Sequence, residues 1–266
     1  MAGSDEPPLD ALWARYQSGQ LEQVVATLQV VIDEQADEGW SREAKSDRLQ
    51  LLGLALHDLG RPIEASDAIE KASLIVPISD QARIALASCY AQLQRIDLAR
   101  ELYLQLALSR RLSPGLMLEV AAGLEAIDAP QLAMQVCQWI VEKDDSIAQA
   151  HYDMGVYSAR SGHPLYMTEA LTRRALQLDP QNIHYRIGLV SLLVQLDRDE
   201  EGLEVMDGVE PGDIEIVGCH TCLSRVTSLL LRHHRDELAE ICNLQIEKLR
   251  KRTSSRRSIS LWEATP

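Results

Sequence analysis

Phenylalanine is absent from this chain, and so are most of the signatures of chemistry. No stretch of 18 apolar residues occurs, which excludes a transmembrane helix of ordinary length. Met1 to Asp10 is acidic and lacks an apolar centre, so it does not read as a secretory signal. There is no glycine-rich phosphate loop, no nucleophile elbow and no H-E-x-x-H pair. Carboxylates are plentiful, but they sit among bases on helix faces, as in Asp97, Arg100 and Glu101. No catalytic constellation results, and the reading is of a protein that is not an enzyme and needs no cofactor. Basic residues are also short. Lys and Arg number 26 against 40 Asp and Glu, a net charge of −14. That balance argues against nucleic acid and against an anionic membrane, since both demand a basic face. Five cysteines, an odd count with no extracellular cue, fit a reducing compartment, and a cytoplasmic location is expected.

What is present is a periodic pattern. From Ser46 to Pro77 the chain reads Leu49-x-x-Leu52-Gly53-x-x-Leu56, then Gly60-Arg61-Pro62, then Ala65-x-x-x-Ile69-x-x-Ala72, then Pro77. Apolar residues recur at helical spacing on both sides of the Gly-Arg-Pro break, which predicts two short amphipathic helices. Gly60 suits a helix end at positive φ and Pro62 a first helical turn. Gly53 and Ala65 leave room for a close crossing. Stepping by 34 reaches Asp80, Pro114 and Ala148, and one further step with a single-residue slip reaches Ile183. The same places are filled by Leu86, Tyr90, Ala99 and Tyr103, then by Val120, Leu124, Ala133 and Cys137. Met154, Gly155 and Leu171, then Leu189, Leu193, Gly202 and Met206, continue the series. Pro62, Pro130 and Pro164 each fall at the seventeenth place of their units.

This pattern resembles the tetratricopeptide repeat, a 34-residue helix pair. The resemblance covers residues 46–210 well and the flanks loosely. It implies an all-α, right-handed superhelical solenoid of stacked antiparallel helix pairs, about seven in all. Tyr103, Ile69, Cys137, Leu171 and Met206 stand where the family usually has phenylalanine. The expected organisation is a flexible tail at 1–8, a divergent first pair and linker at 9–45, five repeats at 46–210, a connector and capping pair at 211–252, and a basic disordered tail at 253–266. Ser41 suits the N-cap of a lengthened helix entering the repeats. The end of the chain carries Lys248, Arg250, Lys251, Arg252, Arg256 and Arg257. It is expected either to dock on an acidic surface or to remain solvated.

The family's inner surface is lined by the first helix of each pair. Carried over place by place, that surface takes Gln50, Ile84, Leu118, Tyr152 and Ile187 at the fifth places. It takes Leu54, Ser88, Ala122, Val156 and Ser191 at the ninth, with Asp47, His57, Gln81, Glu125, Gln149, Arg160 and His184 on a sparse polar rim. The family's best-known clamp grips a chaperone's terminal carboxylate with Lys and Asn at such places. Gln, Leu and Ile stand here instead, so that partner is not expected. The apolar fifth places either pack against neighbouring helices or form a trough for an extended apolar peptide or an amphipathic helix, and the trough is favoured. The implied function is a non-catalytic protein–protein scaffold, adaptor or co-chaperone of open oligomeric state.

One cluster stands outside the repeats: Cys219-His220-Thr221-Cys222, followed by His233 and His234. A zinc site within one chain is excluded by geometry, because Cys222 and His233 lie about 16 Å apart along one helix. The reading is of ordinary residues in a capping pair, with a redox or metal-linked regulatory module as the alternative.

Overall fold

The computed structural model describes residues 7–34 and 40–262, with side chains through Lys251. Every regular element among them is helical. The helices are α1 (Leu9–Gln17), α2 (Leu21–Glu34), α3 (Arg42–Asp58), α4 (Pro62–Ser73), α5 (Asp80–Gln92), α6 (Ile96–Ser109), α7 (Pro114–Ala126) and α8 (Pro130–Lys143). They continue with α9 (Ala148–Arg160), α10 (Leu165–Leu178), α11 (Ile183–Gln195), α12 (Asp199–Met206), the one-turn α13 (Pro211–Ile214), α14 (His220–Arg232) and α15 (Asp236–Trp262). Four first helices, α5, α7, α9 and α11, begin at Asp80, Pro114, Ala148 and Ile183, the residues reached by stepping along the repeat. The helix-pair architecture implied by the repeat is therefore the one observed.

Local chemistry sets the ends. Ser41 accepts from the Ala44 N–H at 3.1 Å and starts α3 four residues before Ser46. Ser79 and Ser113, 34 residues apart, cap α5 and α7 in the same way. Pro62 and Pro130 open α4 and α8, where a missing N–H costs nothing. Inside each pair the turn repeats too. Gly19, Gly60, Gln94, Asp128, Gly162, Asp197 and His234 all have positive φ. Each is followed by a residue whose N–H reaches back to the last helical turn, as Arg61 does to Leu56 at 2.9 Å and Arg95 to Tyr90 at 2.8 Å. This is the Schellman end of a helix.

The chain forms two compact units, Met1–Val136 and Cys137–Pro266. In the first, α1 and α2 close over α3 through Leu12, Val24, Leu28, Leu51 and Leu56. Leu54, Ile69, Ala82 and Leu86 then join α3, α4 and α5. Helix α4 crosses α3 so closely that a Cβ at Gly53 would lie 3.2 Å from the Ala65 carbonyl oxygen and inside the Ile69 side chain. In the second, Ile187 and Val190 of α11 meet Val226 and Leu229 of α14, with Cys242 and Ile246 of α15 completing the core. Cys89, Cys137 and Cys242 are fully buried, as their apolar settings predict. Helix α15 continues to Trp262, past Thr253, where composition places the start of the tail. Of the basic residues towards the end of the chain, Lys248 lies 3.8 Å from Glu215 and Arg250 donates to His220 at 3.0 Å. Arg252, Arg256 and Arg257, on which docking or solvation turns, lie outside the described side chains. No helix among the described residues is long and apolar enough to cross a membrane.

Candidate functional site

A cavity of about 480 Å³ opens in the first unit. Its walls are the first helices of three successive pairs: Leu54, His57 and Asp58 from α3, Gln81, Ile84, Ala85, Ser88, Ala91 and Gln92 from α5, and Glu119, Ala122, Gly123 and Ala126 from α7. Tyr16 of α1 closes one side and Tyr103 of α6 forms part of the floor. Tyr103 is 2% exposed, and it reaches this position because Gly123 presents no side chain to its ring.

A hydrogen-bonded chain crosses the cavity. The Tyr16 hydroxyl donates to Asp58 Oδ2 at 2.7 Å. His57 Nδ1 lies 3.0 Å from Asp58 Oδ1, and His57 Nε2 lies 3.0 Å from Ser88 Oγ. An ionised carboxylate only accepts, so Nδ1 carries a proton towards Asp58, and in that tautomer Nε2 accepts a hydrogen bond from the Ser88 hydroxyl. Gln92 Nε2 donates to Ser88 Oγ from 3.3 Å. Burial, then the bond to Asp58, pushes the Tyr16 hydroxyl well above its ordinary range, so it remains a donor. Burial pushes Tyr103 up to about 12.

The order Ser88, His57, Asp58 is that of an acyl-transfer triad. Such a triad needs free N–H groups facing the nucleophile to hold an oxyanion. Ser88 sits in the interior of α5, where backbone amides are committed to the helix itself. The chain of bonds orients polar groups in a cavity whose remaining walls are mostly apolar, with Gln81 and Glu119 the polar exceptions. Asp58 and Glu119 bring negative charge, and no lysine or arginine lines it.

Six residues expected on the inner surface line this cavity: Leu54, His57, Gln81, Ile84, Ser88 and Ala122. Gln50 does not. It is buried, donates to Ser46 Oγ at 3.2 Å, and accepts from the Ser79 N–H at 2.8 Å. Leu118 and Glu125 are half-buried on α7, outside the cavity. In the second unit Val156 is exposed, and Tyr152 packs on Tyr185 with ring centroids 4.8 Å apart. Ile187 is 1% exposed within the core, and Ser191 is buried, accepting from Arg225 Nη1 at 3.2 Å. Sequence reasoning missed Tyr16, Asp58, Ala85, Ala91, Gln92, Tyr103, Glu119, Gly123 and Ala126. Ala85 and Glu119 share one repeat place, next to the fifth, and that periodicity was the available signal.

Cys219 and Cys222 form a disulfide at the start of α14, and Cys219 is the helix's N-cap. His233 lies at the other end of that helix, 3.5 Å from Asp199 Oδ2.

No family model and no curated protein matches the chain. Solved structures do. A tetratricopeptide repeat protein from Parabacteroides merdae ATCC 43184 superposes with a TM-score of 0.66 at 14% identity, covering 91% of each chain. PilF of Pseudomonas aeruginosa gives 0.59 at 18% identity over 78% of this chain and 93% of its own. MamA from Desulfovibrio magneticus RS-1 gives 0.52 at 19% identity over 61% and 91%. At these identities the likeness is one of fold.

Proposed function

Taking the chain as a protein of the tetratricopeptide-repeat fold, we propose that it is a non-catalytic protein–protein scaffold or adaptor. Its first unit takes a peptide or a short amphipathic helix. The observation that carries this reading is the cavity between α3, α5 and α7, formed by first helices at successive repeat places. Its volume falls within the range of about 300–1,000 Å³ typical of ligand pockets. Leu54, Ile84, Ala85 and Ala122 suit an aliphatic side chain of the partner. Asp58 and Glu119 favour a basic residue beside it by charge complementarity. That preference is opposite in sign to a carboxylate clamp, so an adaptor role fits better than a carboxylate-gripping co-chaperone. A cytoplasmic setting belongs to the same reading, as does the absence of nucleic-acid and membrane partners. Repeat folds serve many partners, so the site and not the fold carries the argument.

The test is a displayed random peptide library selected on the full chain and on Ala122→Trp. Ala122 is exposed and faces the cavity, so the indole fills space without disturbing the core. Peptides enriched on the parent chain should carry aliphatic and basic residues together. They should bind the variant at least tenfold more weakly at unchanged thermal stability. Equal binding to both proteins would remove the cavity from the interaction.

A further inference from the structure

The segment Cys219-His220-Thr221-Cys222 occupies a different environment from the other three cysteines. Cys89, Cys137 and Cys242 are closed in apolar cores, and burial pushes the thiols of Cys89 and Cys242 up to about 11 and that of Cys137 higher still. Those three are inert at neutral pH. Cys219 is exposed, while Cys222 is half-buried one helical turn further in. Their Cα atoms are 5.4 Å apart and their sulfurs are bonded. Cys219 stands at the N-cap of a 13-residue helix, with its Sγ accepting from the Cys222 N–H at 3.2 Å. His220 between them is held by Arg250 of α15, whose Nε–H donates to His220 Nε2 at 3.0 Å.

A purely structural staple is the weaker account. A disulfide closing so short a loop removes little unfolded-chain entropy, since that gain grows with loop length. The entry to α14 is already fixed without it. Gln245 Nε2 donates to the Val217 carbonyl at 3.0 Å, and Val217, Leu223 and Val226 are fully buried.

We infer that Cys219 and Cys222 form a dithiol–disulfide exchange site, with Cys219 as the attacking and attacked sulfur and Cys222 as the resolving one. The substrate class is a dithiol or disulfide on a partner protein or small molecule. With the site oxidised, a substrate thiolate attacks Cys219 Sγ. The Cys219–Cys222 bond breaks, and Cys222 leaves as a thiolate. The second substrate thiolate then attacks the substrate sulfur of the mixed disulfide, releasing Cys219. Its thiolate is stabilised by the Cys222 N–H and the positive end of α14. Two electrons pass from substrate to chain and a substrate disulfide forms, while the protons that the two substrate thiols lost on becoming thiolates pass to solvent, from which the two released cysteine thiolates are protonated in turn. The reverse sequence reduces a substrate disulfide when the site starts as the dithiol.

The experiment uses the full chain in its native state. Dithiothreitol should release two rapidly titrating thiols while the three buried ones stay silent, and glutathione disulfide should close the pair again. In Cys222→Ser, Cys219 should react with glutathione disulfide at pH 7 at least tenfold faster than Cys222 does in Cys219→Ser. The Cys219→Ser/Cys222→Ser double variant should melt within a few degrees of the parent. A pair that dithiothreitol opens only after denaturation would overturn the assignment. So would equal rates in the two single variants, or a double variant that fails to fold.

Discussion

Gly123 and Tyr103 occupy one space. A Cβ at position 123 would fall within the Tyr103 ring and lie 2.5 Å from its hydroxyl oxygen. The missing side chain on α7 lets a residue of α6 reach the cavity floor. Gly123→Ala should therefore destabilise the chain by about 1–3 kcal/mol through overpacking. In a Tyr103→Leu background the same change should cost much less. Urea unfolding of the four proteins reads the coupling directly, and a simple sum of the two single effects would mean that the contact is not shared.

The turn after α3 isolates a backbone effect. Gly60 has φ of +73°, and nothing lies within 4 Å of a Cβ placed there. Gly60→Ala should cost about 1–2 kcal/mol from backbone conformation alone. Gln94 holds the equivalent place at φ of +60°. Gln94→Gly should accordingly be neutral or stabilising by up to about 1 kcal/mol. Equilibrium denaturation of both variants should give shifts of opposite direction or of clearly unequal size.

Gln50 separates a structural residue from a binding one. Its side chain joins Ser46 to the N–H of Ser79, the residue that caps α5. Gln50→Leu leaves buried polar groups without partners and should cost about 1–3 kcal/mol. Peptides selected on the parent chain should still bind this variant at temperatures where it is folded. Selective loss of peptide binding with stability unchanged would place Gln50 in the site instead.

Asp153 sets a pH dependence. Burial, opposed by a 2.7 Å hydrogen bond from Gln149, raises its carboxyl from 3.8 to about 6. Tyr152, Tyr157, Tyr185 and Cys137 near it are raised first by burial and then by its charge. The folded chain holds this proton more tightly than the unfolded one. Its contribution is thus fully present below about pH 4 and is lost as pH rises through 6. Asp153→Asn keeps the oxygen that accepts from Gln149 and removes the charge. It should gain up to about 2–3 kcal/mol over the parent at pH 7 and almost nothing at pH 4. A difference independent of pH, measured by denaturation across that range, would contradict the assignment.

The sequence by itself determined the helix-pair array, because everything that specifies it is local. Apolar spacing, the recurring proline place and the 34-residue step, with one single-residue slip, place the starts of α5, α7, α9 and α11 without any distant contact. It also identified one face of each first helix, and with it six of the residues that line the cavity. Only the tertiary structure decided which of those places are free. Ile187 holds the same repeat place as Ile84, yet α14 packs over it and buries it in the second unit's core. Gln50 was polar at an inner place and is consumed by the cap of the next helix. The bond from His57 to Ser88 joins residues 31 apart, and Tyr103 enters from a second helix because a glycine faces it. The spacing of Cys219 and Cys222 was visible at once. Their pairing depended on the extended backbone at Cys219, which turns its sulfur back over the first turn of α14. A periodic pattern says where a side chain points, while burial depends on what the rest of the chain brings against it.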